Sequence, residues 1–270
     1  VKNRIESRHI TVKIIGAFVA LILIVPTLIV IPISFAGQAS FIFPPQSWSL
    51  RWYEEFFTNR GWSTSLQRSL LIGFFSAIFA TLLGTTSALG LAKWVGRRAA
   101  VSVRAVLLVP IVVPGIVLAI GIYGAFTVFG IIGTLPGFIV AHTVLGIPYV
   151  VISVTAALTG FDPNLERAAV SLGASRWQVA RRVTLPLSAP GVMAGFLFAF
   201  VTSFDEILVS LFIKSPFLET LPVRMYTSVV SDLDPTIAAA STIVLVVTTV
   251  ILVAGTLVVS RRTRILKVKV

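Results

Sequence analysis

The sequence predicts an all-α, polytopic membrane protein with six transmembrane helices and a water-exposed helical loop between the fourth and the fifth. Three observations predict it. Of 270 residues, 12% are charged and 56% hydrophobic, against roughly 25% and 45–50% in soluble domains, and the mean hydropathy is +0.99. The apolar stretches are continuous rather than alternating, which excludes the pattern of a membrane β-barrel. Six of them reach the roughly 20 residues that a bilayer core needs.

Taken in order, the spans cover about 14–35, 69–92, 105–129, 136–158, 189–213 and 235–260, all within a single domain of 1–270. The first is about 22 residues long, beyond the roughly 7–15 of a signal-peptide core, so it is read as an uncleaved helix. The third and fourth nearly touch. Between them, 130–137 is rich in Gly and Pro, which permits a tight hairpin. The fifth carries two carboxylates, Asp205 and Glu206. The tail after the sixth, 261–270, is too short to fold alone.

Basic residues set the orientation. Lys2, Arg4, Arg8 and Lys13 precede the first span, Lys93, Arg97, Arg98 and Arg104 lie between the second and third, and Arg167, Arg176, Arg181 and Arg182 between the fourth and fifth. With the five in the C-terminal tail, 17 of the 22 Lys and Arg residues fall on one side. The positive-inside rule makes that side, and both termini, cytoplasmic. Basic residues at span ends, without an interleaved aromatic platform, exclude nucleic acid as the reason for a net charge of +12. There is no cysteine, and His9 and His142 are far apart in sequence and in expected depth, so thiolate chemistry and a His-based metal site are excluded. His142 reads as a hydrogen-bonded packing residue.

The first outer loop, 36–68, contains Trp48, Trp52, Tyr53, Phe56 and Phe57. Such aromatics fit a short interfacial amphipathic helix, and equally a surface for a soluble partner outside. Asp205 lies roughly 24 Å along the fifth span from Ala189. Intramembrane carboxylates are expensive and usually functional. Asp205 and Glu206 are therefore candidates for the translocation pathway, guiding a cation; pairing with Lys214, Arg224 or a partner subunit is the structural alternative.

The loop of 159–188 is the polar, basic island between two apolar runs. Asp162-Pro163 is a good helix start. Leu165, Ala168, Ala169 and Leu172 share one face at helical spacing, and Gly173 can end the helix in a left-handed conformation. Ser175 can cap a second helix through Val183, and Pro186 and Pro190 redirect the chain into the fifth span. An amphipathic connector lying on the membrane is the bland reading; a helix offered to a cytoplasmic partner is the other.

These residues resemble the "EAA" loop of bacterial ABC importer permeases: Ala168-Ala169, Gly173, Val183 and Leu185-Pro186 stand in the order of that motif. The resemblance extends to length, six-span topology and cytoplasmic termini. It implies the type I ABC importer permease fold in the bacterial cytoplasmic (inner) membrane. It also implies an ATPase-coupling loop built from Glu166, Arg167, Ala168, Ala169, Leu172, Gly173, Ala174, Ser175 and Pro186. One departure stands out, because the family's Glu position holds Arg167, with Glu166 one residue earlier. The chain has no Gly-Lys-Ser/Thr phosphate loop. It is thus expected to be no enzyme and to bind no cofactor, with ATP and Mg on partner subunits.

Further stretches narrow the resemblance. Ser203-Phe204-Asp205-Glu206, 220–226, 234–239 and Ser49-Leu50-Arg51-Trp52-Tyr53 resemble the second permease subunit of spermidine/putrescine-type importers. The partners this implies are two ATP-binding subunits, a second homologous permease and an extracytoplasmic substrate-binding protein, in a bed of membrane lipids. The same branch serves other small solutes, among them aminoethylphosphonate, amino-acid derivatives and ferric iron. A passive channel or secondary transporter needs no docking loop.

Overall fold

A computed structural model describes residues 2–93, 98–160, 162–231 and 234–268, with side chains from 12 to 257. Arg97 and Lys269 of the orientation argument and Phe161 of the loop lie outside the described residues. The secondary structure is helical, in the order α1 (Lys2–Ser34), α2 (Arg51–Thr58), α3 (Arg60–Lys93), α4 (Arg98–Val112), α5 (Gly115–Phe129), α6 (Leu135–Thr159), α7 (Pro163–Ser171), α8 (Arg176–Val179), a π-helical turn (Ala180–Thr184), α9 (Leu185–Phe204), α10 (Leu208–Ile213), α11 (Leu221–Ser231) and α12 (Thr236–Val268).

Among the described residues five helices are long and apolar enough to cross a bilayer, namely Val12–Ser34, Arg60–Lys93, Leu135–Thr159, Arg176–Phe204 and Thr236–Leu257. A sixth crossing is the pair α4 and α5, bent by 105°. The third span, expected over 105–129, is therefore a broken one that starts at Arg98. The cause is local. Pro114 has no N–H for the ladder and disfavours helical backbone at Val113, so α4 stops and α5 restarts at Gly115. A side chain at 115 would press on Leu208, its Cβ only 2.9 Å from Cδ1.

The residues fall into two compact units. One comprises 1–63 and 227–246. In it, the loop after α1 folds onto α2: Tyr53 and Ser34 share a hydrogen bond of 2.7 Å, and the Trp52 indole donates to the Ala36 carbonyl at 2.8 Å. Phe56 and Trp62 are buried against each other with their rings tilted by 34°, while Trp48 and Phe57 stay exposed. The side chains of α1 between Val12 and Leu28 are exposed as well.

The other unit comprises 64–226 and 247–270. Its core joins Ile72 of α3, Ala119 and Phe126 of α5, Phe138, Ala141 and Leu145 of α6, and Val209 and Ile213 of α10. The helices α6 and α9 approach closely because glycines face the contact. A Cβ at Gly191 would sit 2.7 Å from the Ser153 carbonyl, and one at Gly195 2.9 Å from the Val150 Cα. Between α5 and α6, Gly130 and Gly133 take φ of 65° and 70°, and Thr134 caps α6 by accepting from Gly137 N–H at 3.2 Å. The expected hairpin is in place.

Candidate docking loop and pathway break

The loop is built from two capped helices. Asp162 accepts from the Asn164 N–H at 2.9 Å and starts α7. At the other end, Gly173 N–H reaches the Val170 carbonyl at 2.9 Å and Ala174 N–H reaches the Ala169 carbonyl at 3.1 Å. Those two bonds, with Gly173 at φ 87°, form a Schellman motif. The motif needs a left-handed residue at its turn, which is why Gly stands four residues beyond Ala169. Ser175 then opens α8 with a capping box: its hydroxyl accepts from Gln178 N–H at 3.3 Å, and its own N–H donates to the Gln178 side chain at 2.7 Å.

From α8 the chain does not turn at the prolines, as the sequence reading expected. It runs on through the π turn into α9 as a helix from Arg176 to Phe204. Leu185 N–H reaches back five residues to the Ala180 carbonyl. The widened turn meets the missing donor of Pro186 without breaking the rod. Pro186 sits at the root of α9, apart from the α7 face. Glu166 is half-buried and accepts the Thr184 hydroxyl, tying α7 to that root. Arg167 is exposed, and among the described residues its guanidinium meets the Asn164 amide oxygen at a long 3.5 Å. Glu166 and Arg167, adjacent in sequence and about 100° apart round the helix, differ in burial and partners but border the same groove.

One of the faces offered to solvent is apolar. Leu165, Ala168 and Leu172 are exposed, Leu172 at 89%, and so is Trp177 on α8. Ala169 and Ala174 are partly covered, and Ser175 is exposed. A rigid, capped element with small and apolar side chains uncovered is fitted to close contact with another surface.

The carboxylates lie at the far end of the same rod. Span five ends at Phe204, not at 213, and Asp205 and Glu206 occupy the break before α10. Glu206 Oε1 accepts from the Val209 N–H at 2.8 Å and caps α10. Asp205 is exposed, and its carboxylate has no hydrogen-bond or ion-pair partner among the described residues. Neither carboxylate pairs with Lys214 or Arg224; Arg224 Nη1 donates to Glu219 at 2.9 Å. Glu206 borders a cavity of about 220 Å³ with Thr202 and Tyr149, walled by Ile111, Leu118 and Leu145. That volume exceeds the share of several waters at roughly 30 Å³ each.

His142 is the hydrogen-bonded packing residue that the sequence suggested, but its partners, which hold this break, were not found from sequence. His142 is buried, with Ser203 Oγ 2.7 Å from Nδ1 and Ser210 Oγ 2.9 Å from Nε2. One ring nitrogen donates and the other accepts, so one imidazole on α6 straps the last turn of α9 to α10. The available signal was a lone His in an apolar span facing two serines that flank an Asp-Glu pair. Thr184, the partner of Glu166, carried no signal, since the contact crosses eighteen residues of loop.

Residues 80–265 match the family described as binding-protein-dependent transport system inner membrane component. The spermidine/putrescine transport system permease protein PotC of Escherichia coli is 33% identical over 242 residues, covering 90% of this chain and 91% of that protein. The putrescine transport system permease protein PotI of Escherichia coli is 28% identical over 204 residues, covering 73% of each. Among solved structures, a bacterial ABC transporter involved in import of the acidic polysaccharide alginate superposes with a TM-score of 0.73 at 15% identity, over 96% of this chain and 98% of that one. The MetNI methionine ABC transporter does so at 0.64 and 20% identity, over 74% of this chain and 95% of that one. These likenesses establish the fold.

Proposed function

Because this chain belongs to the family of binding-protein-dependent transport system inner membrane components, we propose that it is one permease subunit of an ATP-driven importer. It forms half of the translocation pathway for a small cationic solute, a polyamine such as spermidine or putrescine. An extracytoplasmic binding protein delivers the solute, two ATP-binding subunits hold ATP and Mg, and a second homologous permease completes the pathway. The observation that carries the polyamine reading is the likeness to the spermidine/putrescine permease along nine-tenths of the chain. A free carboxylate at Asp205 and a second at Glu206 suit a cation.

With both termini and the 159–188 loop in the cytoplasm, α7 and α8 present their apolar face to an ATP-binding subunit. Glu166, through Thr184, fixes that face to the root of α9, while Ala168, Ala169, Leu172, Gly173, Ala174 and Ser175 form the coupling surface; Arg167, on the same helix, borders the groove beside Glu166. The uncovered apolar side chains of α1 fit lipid and the second permease.

The test is reconstitution of the permease pair, the ATP-binding subunits and the binding protein in vesicles. Spermidine-loaded binding protein is expected to stimulate ATP hydrolysis and labelled spermidine to accumulate. Ala169→Asp, which places a charge in a close contact, is expected to abolish both. Normal uptake by that variant would refute the docking role; stimulation only by an uncharged or anionic solute would refute the polyamine reading.

A further inference from the structure

The end of α3 and the inner side of the α7–α8 loop enclose a groove of about 720 Å³. Lys93, Arg167 and Arg176 line it, with Ser171. Its one carboxylate, Glu166, is engaged by the Thr184 hydroxyl. None of the three cations forms a salt bridge with a described residue. Three cations against one carboxylate leave the groove a concave site of net positive charge, and such a wall concentrates the field on an anion.

Its depth narrows the ligand. Lys93 directly follows the apolar stretch that ends at Ala92, which puts it at headgroup level. In the last turns of α3, Ala88, Leu91 and Ala92 line a mainly apolar groove of about 490 Å³ with Val101 and Leu158, whose polar margin is Arg104, Thr155 and Thr159. A cationic pocket and an apolar trough thus meet on consecutive residues of one helix. Soluble anions and protein side chains require the first but not the second.

We propose that the groove binds the phosphate headgroup of an anionic phospholipid of the cytoplasmic leaflet, with Lys93, Arg167 and Arg176 on the phosphate and an acyl chain along the Ala88–Ala92 side of α3. The site is distinct from the exposed apolar face of α7, and a lipid seated there props the loop from behind. The inference rests on the importer reading for the side of the membrane on which the loop lies.

The test uses the assembled importer in nanodiscs of phosphatidylcholine with a minority of phosphatidylglycerol, reading retained lipid by native mass spectrometry and ATP hydrolysis in parallel. The wild type is expected to retain phosphatidylglycerol. Each cation near an anionic lipid contributes about fivefold in affinity, so Lys93→Gln, Arg167→Gln and Arg176→Gln together are expected to lower retention on the order of a hundredfold. Arg176→Lys, which keeps the charge, is expected to retain most of it. Equal retention by wild type and triple variant would overturn the proposal. So would loss of the ATP-binding subunits with lipid retention unchanged, which assigns the groove to a protein partner. Displacement of the lipid by millimolar inorganic phosphate would make the site one for free phosphate. Failure of the importer reading shows separately, as a wild-type assembly whose ATP hydrolysis does not respond to binding protein.

Discussion

Replacing His142 by Leu would remove both hydrogen bonds that span the break in the fifth crossing, at nearly constant volume. The magnitude follows from burial. Ser203 and Ser210 are 4% and 0% exposed, so neither hydroxyl gains water when its partner leaves. A stranded buried hydroxyl costs about 1–3 kcal/mol, and two give roughly 2–6 kcal/mol, toward the low end if each serine turns to a carbonyl of its own helix. Removing all the polar groups together should reverse much of this, since apolar replacement of every partner is nearly neutral. The assay is thermal unfolding of the assembled importer for His142→Leu, for Ser203→Ala with Ser210→Ala, and for the triple variant, with uptake per assembled complex measured alongside. The triple variant is expected to be more stable than His142→Leu yet slower in transport, because no buried hydroxyl is left unpaired while the strap is still missing. Additive losses across the cycle would refute the claim that the three residues act as one unit. Full transport by the triple variant would show that the break is positioned by other contacts.

Gly173→Ala meets open space but forces a left-handed φ of 87° on a side chain. It is expected to cost roughly 1–2 kcal/mol locally and to weaken retention of the ATP-binding subunits; unchanged retention would count against a need for the Schellman geometry. Asp205→Asn is expected to lower cation uptake with assembly intact, since its carboxylate has no described partner, whereas Glu206→Gln also weakens the charged cap of α10 and is expected to lower thermal stability as well. If the two variants behave alike in both assays, the division between a solvated and a capping carboxylate fails. Ser175→Cys, in a naturally cysteine-free chain, is expected to react with an impermeant maleimide from the cytoplasmic side alone; labelling from outside intact cells would reverse the proposed topology.

Most of the fold was legible because a bilayer enforces length and polarity on each crossing, and those are countable in a sequence. The same counting misjudged two crossings. It gave no sign of the break in 105–129 although Pro110 and Pro114-Gly115 stand within it, and it carried the fifth span on to 213 through Asp205-Glu206. In both places hydropathy stays high while the hydrogen-bond ladder is interrupted, and a hydropathy window does not register a missing donor. The prolines at 186 and 190 misled in the opposite sense: they looked like a turn, and a π turn absorbed the first of them. The loop's caps were readable at Asp162, Gly173 and Ser175, since capping depends on a few adjacent residues. The His142 strap was not, because its partners lie 61 and 68 residues away, and only the packing of α6 on α9 brings them together.

The unbroken helix from Arg176 to Phe204 behaves mechanically as a lever. Its fulcrum is where Gly191 and Gly195 press on the α6 backbone. At about 1.5 Å per residue, Arg176 lies roughly 22 Å from Gly191 on one arm and Asp205 roughly 15 Å from Gly195 on the other. A sideways push of about 2 Å at the loop therefore appears as an opposite swing of roughly 1.4 Å at the carboxylates, provided that the rod does not flex. Helices that end before their spans lose such a stroke in the connecting linker. Here the soft joint, between Phe204 and Leu208, is the stretch that carries the carboxylates, so the displacement is delivered to the charged break itself instead of being dissipated before it.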